Sequence, residues 1–134
     1  MCREHVGDVR DDYSRFVDAG GEVAVITMGT TEQTTAFREQ HRLPFLCLAD
    51  PDRTAYEAYR VPRGTASQVA GPSVWAGGLK ALVRAGFGRP VGDVSQLHGA
   101  FVIDTAGIVR YAHLPRHTAD LPSNDELIAE LEAL

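Results

Sequence analysis

Cys2 is the residue of this sequence best suited to nucleophilic chemistry. It stands just before, or within the first turn of, a segment from Arg3 to Ala19 whose apolar residues recur at helical spacing. Unpaired backbone N–H groups and the helix dipole at such a position favour a thiolate over a thiol. Arg3, His5 and the α-amino group add positive charge nearby, and Glu4 opposes them. A thiolate attacks peroxides and disulfides, whereas a cysteine on a frayed chain end is the alternative interpretation.

The other residues that could take part in a reaction or bind a metal show weaker sequence patterns. Cys47 lies in an apolar run, which predicts a small buried core residue. Cys2 and His5 have a spacing that could begin a metal site, but no second pair completes it, so we expect no metal. His98 precedes an apolar strand and is expected either to face the end of the sheet near Cys2 or to lie in an exposed loop. The remaining histidines show no pattern of partners: His41, His113 and His117.

Composition narrows the class of protein. The chain has 134 residues, of which 44% are hydrophobic and 23% charged, as is typical of one globular domain. A net charge of −5 without a basic run argues against nucleic acid as a partner. No run approaches membrane-spanning length and no signal-peptide pattern is visible, so a cytoplasmic location is expected. Two cysteines are too few for a disulfide scaffold and are typical of free thiols in a reducing compartment.

The first half of the chain alternates helices and strands. This order predicts a largely parallel sheet with helices on its faces. The predicted elements after the first helix are a buried strand at 22–27, a helix opened by a Thr30–Gln33 capping box with Ala36 and Phe37 facing inward, a strand at Phe45–Leu48, and a helix started by Asp50-Pro51.

Two apolar runs between Gly99 and His113 surround a short polar turn closed by Gly107, which predicts a β-hairpin. The uninterrupted run Phe101–Ile103 predicts a strand buried on both faces. The second run alternates more, as a strand nearer the edge does. A capping box from Ser123 to Glu126 predicts a final helix that covers the sheet.

The segment from Pro62 to His98 interrupts this pattern. It is rich in glycine and proline, and a helix is predicted around Val74-Trp75 to Val83. We interpret it as an insertion in a single domain that spans residues 1–134, with Trp75 packed on the domain surface. A lid over a ligand and a homodimer contact through Trp75 and Leu79 are the alternatives.

Several segments together resemble the peroxiredoxin-like proteins of the alkyl hydroperoxide reductase C and thiol-specific antioxidant superfamily. The resemblance covers nearly the whole chain and implies a thioredoxin-like α/β fold, with a mixed sheet, a C-terminal β-hairpin and flanking helices. Its most specific part is Cys2-Arg3-Glu4-His5-Val6, which matches the second cysteine of a C-x-x-C pair and the residues after it. The other matching segments are Val23–Thr27, Leu43–Arg53, Ala55–Tyr59 and Gly99–Tyr111.

The resemblance also implies what this sequence lacks. Proteins of this kind carry an apolar strand and an attacking cysteine immediately before the residues that match Met1-Cys2, so the N-terminal strand of the fold is expected to be missing. Their Pro-x-x-x-Thr/Ser-x-x-Cys loop is absent, and their arginine before the hairpin falls at His98. Two strand edges would then be unpaired. A start inside a longer gene, a truncated protein and a second copy that completes the sheet remain open.

The function implied by the resemblance is thiol-dependent redox chemistry, in which a peroxide or disulfide is attacked and a cellular dithiol resets the thiol. Cys2 is the expected redox thiol, with His98 and Gln96 as supporting polar groups, and no metal or organic cofactor is implied. The alternative is a non-catalytic binding or assembly module, favoured by the absent first cysteine and the apolar insertion around Trp75. A flavodoxin-like domain is disfavoured by the antiparallel hairpin. Substrate, reductant and oligomeric state are left open.

Overall fold

The computed structural model describes residues 2–64, 96–117 and 119–134. The predicted succession of helices and strands is confirmed there, and the chain is of the α/β class. The elements in order are α1 (Cys2–Asp11), α2 (Tyr13–Asp18), β1 (Ala24–Thr27), α3 (Thr31–Gln40), β2 (Leu46–Ala49), α4 (Thr54–Ala58), β3 (Ala100–Ile103), β4 (Val109–His113) and α5 (Asn124–Glu132). The helix predicted around Val74-Trp75 to Val83, the contact through Trp75 and Leu79 and most of the predicted insertion lie outside the described residues.

The described strands form two small sheets. β1 and β2 pair in parallel, with Ala24 opposite Leu46. β3 and β4 pair antiparallel, with Ala100 opposite His113 and a bulge between Val102 and Ile103. Within the described ranges no strand joins the two pairs, so the parallel pairing predicted for the first half and the predicted hairpin are both present, but the predicted mixed sheet is divided into two.

Both sheets pack on one hydrophobic core. Phe45 is the most deeply buried large side chain of this core, and Leu97 is buried outside the cluster given below. The half-buried residues Val25 and Ala100 pack against this core from β1 and β3. None of the helices in the described part of the chain is long and apolar enough to cross a membrane. The cluster of buried residues consists of Val6, Val9, Phe16, Leu43, Phe45, Val102, Leu127 and Ile128.

The strands are less buried than predicted. Val102 is the one member of Phe101–Ile103 that is buried, and Ile103 is 42% exposed, so the expectation of a strand buried on both faces is wrong. In β1, exposed residues alternate with half-buried ones, and Ile26 is 38% exposed. An apolar run permits burial on two faces, but the described core covers only one face of each pair.

The first helix is interrupted at Asp12, where the predicted helix from Arg3 to Ala19 divides into α1 and α2. Asp12 has φ −96° and ψ 8°, outside the regular helical range. The predicted glycine stop is confirmed, since Gly20 has φ 83° and the N–H of Gly21 donates to the Phe16 carbonyl at 2.9 Å.

The start of α3 confirms the predicted capping box. The N–H of Gln33 donates to Thr30 Oγ1 at 3.3 Å, and the N–H of Thr30 donates to Gln33 Oε1 at 2.9 Å. Of the two side chains expected to face inward, Phe37 packs on the core and Ala36 is exposed. Thr34 is buried instead, because it lies three residues before Phe37 and so shares the face of α3 that Phe37 turns to the core.

We expect Thr30→Ala to lower the free energy of unfolding by about 1 kcal/mol, because the substitution leaves the Gln33 N–H without its acceptor. Urea unfolding followed by circular dichroism measures this difference. Thr31→Ala, at an exposed neighbouring position, is the matched control and should change stability by less than about 0.5 kcal/mol. Equal losses in the two variants would contradict the capping role.

The start of α4 differs from the prediction in its geometry. Asp50 supplies the cap, but Pro51 lies in a turn before the helix and not in its first turn. The helix begins after Arg53, which has φ 58°. The Asp50 carboxylate accepts the N–H groups of Thr54 and Ala55, both at 2.9 Å. The Asp50 carboxylate therefore pairs with the first N–H groups of α4 across the turn that lies between them.

The hairpin and the final helix are confirmed. Asp104 Oδ1 accepts the N–H groups of Ala106 and Ile108 at 2.9 Å, and Gly107 closes the turn with φ 79°. Ser123 Oγ accepts the Glu126 N–H at 3.2 Å at the start of α5. These two turns fix the ends of β3, β4 and α5, which position the groups described next.

Candidate functional site

Cys2 is the first residue of α1, in agreement with its predicted place in the first helical turn. The first backbone N–H groups of a helix have no partner within it, and they give this end a partial positive charge. His5 lies three residues further along, and residues at this spacing share one side of a helix. His5 therefore lies within one turn of the start of α1.

The end of β4 carries a second imidazole. His113 is opposite Ala100, and its ring Nε2 lies 3.3 Å from Asp120 Oδ1 and 3.2 Å from the Asp120 carbonyl oxygen. Asp120 is also fixed by Arg116, whose backbone N–H and Nε donate to Asp120 Oδ2 at 2.8 and 3.0 Å. Burial raises the pKa of Asp120, but Arg116 and the charge of His113 lower it by more, so the net shift is downward.

His5 and His113 lie close enough for their charges to interact. Burial lowers the pKa of His5, the carboxylate of Asp8 raises it, and the charge of His113 lowers it further. The net shift is downward, so the neutral imidazole is favoured near neutral pH. The first turn of α1 and the end of β4 are thus near enough for the charge of one ring to act on the other.

A cavity of about 620 Å³ lies between α1 and the segment that leads into α5. His5 lines it from one side, and Ala119 and Leu121, the two neighbours of Asp120, line it from the other. Because they line one cavity, His5 lies near the segment that carries Asp120. Most of the charged side chains around the cavity are acidic: Glu4, Asp8, Asp11, Asp12 and Asp125, with Arg15 as the cation.

His98 lies at the same end of the hairpin. It precedes Gly99, where an added Cβ would be 3.2 Å from the His113 carbonyl oxygen. The chain next to His98 therefore runs beside the end of β4. Its supporting role toward Cys2 stays a prediction.

Gln96 is buried and its amide is engaged in structural bonds. Nε2 donates to the carbonyl oxygens of Val61, Pro62 and Leu97 at 3.2, 3.0 and 3.1 Å. Gln96 also forms an antiparallel bridge with Arg63. These bonds fasten the two ends that flank residues 65–95, and the predicted role of Gln96 near the thiol remains a prediction.

Cys47 is the other cysteine of the sequence. It lies within β2 and packs against the core, as the sequence predicted, but it is half-buried rather than buried. Burial raises the pKa of its thiol, against an opposing effect of Arg38. Cys47 is therefore a poor nucleophile at neutral pH.

Sequence reasoning missed His113 and Asp120, because no spacing rule links a strand end to an acid seven residues later. The one available signal was Pro115 between them, which marks a turn that can bring the two residues together. Among the described residues, no group of three or more histidine, cysteine, aspartate or glutamate side chains is arranged to hold a metal ion.

Comparison with known proteins identifies the family. Over 61 residues, 46% of this chain, the sequence is 33% identical to chloroplastic peroxiredoxin Q of Sedum lineare, and this match covers 33% of that protein's length. The family model described as AhpC/TSA family matches residues 1–112. The α/β architecture is that of a thioredoxin-like domain, and a peroxiredoxin-like, thiol-dependent redox role is the function at the level of the family. With more than half of its length matched, the chain belongs to the AhpC/TSA family.

Proposed function

We propose that this chain carries out thiol-dependent reduction of a peroxide or a disulfide, with Cys2 as the reacting residue. The observation that carries the proposal is the start of α1 at Cys2, where the unpaired N–H groups and the dipole of a ten-residue helix favour a thiolate. Membership of the AhpC/TSA family supports the same chemistry. The half-buried Cys47, with its raised pKa, is not a competing candidate.

In the proposed reaction with a peroxide, the sulfur of Cys2 is the protein atom that reacts. The Cys2 thiolate attacks one peroxide oxygen, an S–O bond forms and the O–O bond breaks. The leaving alkoxide takes up a proton and departs as an alcohol, or as water when the peroxide is hydrogen peroxide. The resulting sulfenic acid condenses with one thiol of a dithiol reductant, releasing water, and the second thiol regenerates Cys2 as the reductant becomes a disulfide.

The partners that follow are a peroxide or disulfide substrate and a cellular dithiol. The relative from Sedum lineare is named as a peroxiredoxin, which supports a peroxide as the oxidant. The chemistry requires no metal or organic cofactor, because the sulfur atom passes through its own oxidation states.

We expect Cys2 to be alkylated well below the ordinary thiol pKa of about 8.5, and at neutral pH at least about tenfold faster than Cys47. The measurement is the rate of iodoacetamide labelling against pH, with each cysteine quantified by mass spectrometry. Cys2→Ser and Cys47→Ser are the matched variants that assign the two rates. If Cys2 titrates near about 8.5, like a free cysteine, the redox proposal fails.

A binding or assembly module is the second candidate, and one feature of the parallel pair favours it. The outward side chains of β1 and β2 are apolar and accessible, with Ile26 38%, Leu46 54% and Leu48 44% exposed. Such a face suits contact with another protein surface, including a second copy of this chain. The alkylation profile separates the two candidates, because a module without chemistry has no reason to activate Cys2.

A further inference from the structure

The outward face of the β1–β2 pair is apolar and accessible. Ala24 and Ile26 lie on it from β1, opposite Leu46 and Leu48 of β2 in the parallel register, and all of them are exposed. The residue between the first two, Val25, packs against the core from the other side of the sheet. Contiguous apolar surface of this kind is typical of a contact surface. These residues are called the β1–β2 face below.

The sequence of residues 65–95 contains an apolar stripe that matches this face. These residues lie outside the described ranges, and the sequence predicts a helix around Val74-Trp75 to Val83. Trp75, Leu79 and Leu82 recur at intervals of four and three residues, which puts them on one side of such a helix. We propose that this stripe packs on the β1–β2 face of its own chain.

The two described ends that flank this segment are fastened to each other. Gln96 forms an antiparallel bridge with Arg63, and the N–H of Leu97 donates to the Pro62 carbonyl oxygen at 3.2 Å. Gln96 Nε2 also donates to the carbonyl oxygens of Val61 and Pro62 at 3.2 and 3.0 Å. The chain therefore leaves the described core and returns to it at one place, and the segment in between is tethered at both ends.

This place of attachment lies beside β1. The N–H of Val61 donates to the Tyr56 carbonyl oxygen at 2.9 Å, and the Tyr56 hydroxyl donates to the Ile26 carbonyl oxygen at 3.0 Å. Ile26 is itself part of the β1–β2 face. Neighbouring strands are about 4.8 Å apart and an extended chain covers about 3.3 Å per residue, so the stretch from Gly64 to Trp75 is long enough to cross the pair.

Charge and tethering favour this segment over a second copy of the chain as the occupant of the face. Residues 65–95 carry Lys80, Arg84 and Arg89 against a single carboxylate, Asp93, whereas the whole chain has a net charge of −5. The segment is thus cationic and is attracted to the acidic remainder of its own chain, whereas two acidic chains repel each other. Attachment at both ends also gives the segment a high effective concentration at the face, without the entropy cost of bringing two molecules together.

Trp75 is the only tryptophan of the chain, so its fluorescence in the full-length protein reports on this contact. Its emission maximum should lie at a shorter wavelength in buffer than in urea, because the packed indole is withdrawn from water. Leu48→Lys places a charge in the face and should move the maximum most of the way to its value in urea. Leu114→Lys is the matched control, since Leu114 is 45% and Leu48 44% exposed, and should leave the maximum in place.

A cross-linking experiment uses milder substitutions and identifies the occupant of the face. In a chain that carries Cys2→Ser and Cys47→Ser, the variants Leu48→Cys and Leu79→Cys are joined by a flexible bismaleimide, and the products are separated by mass. We expect a cross-link within one chain, at least about tenfold more abundant than when Leu114→Cys replaces Leu48→Cys, because tethering raises the effective concentration of the two thiols.

Two results would overturn the inference. Cross-links between two chains, with a Trp75 emission maximum that changes with protein concentration, would assign the face to a second copy. An emission maximum that Leu48→Lys leaves unchanged, with equal cross-linking from Leu48→Cys and Leu114→Cys, would leave the face uncovered by this segment. Circular dichroism establishes that Leu48→Lys is folded, and the cross-linking result stands without that variant. The inference does not depend on the chemistry of Cys2, which the alkylation profile tests separately.

Discussion

Replacing Cys2 with serine is expected to reduce peroxide turnover by on the order of 100-fold or more, because a serine hydroxyl is not ionised at neutral pH and cannot form a sulfenic acid. The substitution removes one sulfur at the first position of α1, where serine also suits a helix start. Stability should therefore be nearly unchanged. The measurement is consumption of hydrogen peroxide in the presence of dithiothreitol.

Cys47→Ser is the control for this prediction. Its thiol lies in β2 with its Sγ 3.8 Å from the Phe45 carbonyl oxygen, and burial raises its pKa. We expect turnover to change less than about twofold, with a modest loss of stability from the altered packing. If turnover falls with Cys47→Ser and survives Cys2→Ser, the assignment of the reacting thiol is wrong.

Phe45→Ala is expected to lower the free energy of unfolding by about 3–5 kcal/mol. The Phe45 ring is 2% exposed and lies 5.6 Å from the ring of Tyr13, centroid to centroid. Its removal leaves a cavity beside the residues that join α2 and β2 to the core. Because a domain of this size is stable by only about 5–15 kcal/mol, the loss should be visible directly in urea or thermal unfolding.

The adjacent residue supplies the control. Leu46 is 54% exposed on the outward face of β2, so Leu46→Ala should cost at most about 1 kcal/mol. The two residues are neighbours in the chain, but Phe45, just before β2, is buried in the core, whereas Leu46, the first residue of β2, is exposed. Similar losses in both variants would contradict the described core.

Local signals in the sequence specified the elements well. The Thr30–Gln33 capping box, the glycine stop at Gly20 and the turn closed by Gly107 are all present in the structure. Each depends on residues within a few positions of one another, so its physics is contained in a short window. The position of Cys2 at a helix start was accessible for the same reason.

Burial was predicted less accurately, because it depends on what packs against an element. The run at Phe101–Ile103 is apolar throughout and β1 is apolar up to Thr27, yet Ile103 and Ile26 are exposed. Periodicity identifies residues that tolerate burial, whereas the number of layers that cover a sheet depends on the rest of the chain.

The sequence by itself therefore determined the helix that begins at Cys2 and the family to which the chain belongs, since these follow from local spacing and from a motif that includes Cys2 and His5. The tertiary structure alone decided that the His113 ring faces Asp120, that the charges of His5 and His113 interact, and that Cys47 is held in a strand with a raised pKa. The physical reason is distance along the chain. α1 and the hairpin are far apart in the sequence and approach each other because both bury one face in a common core.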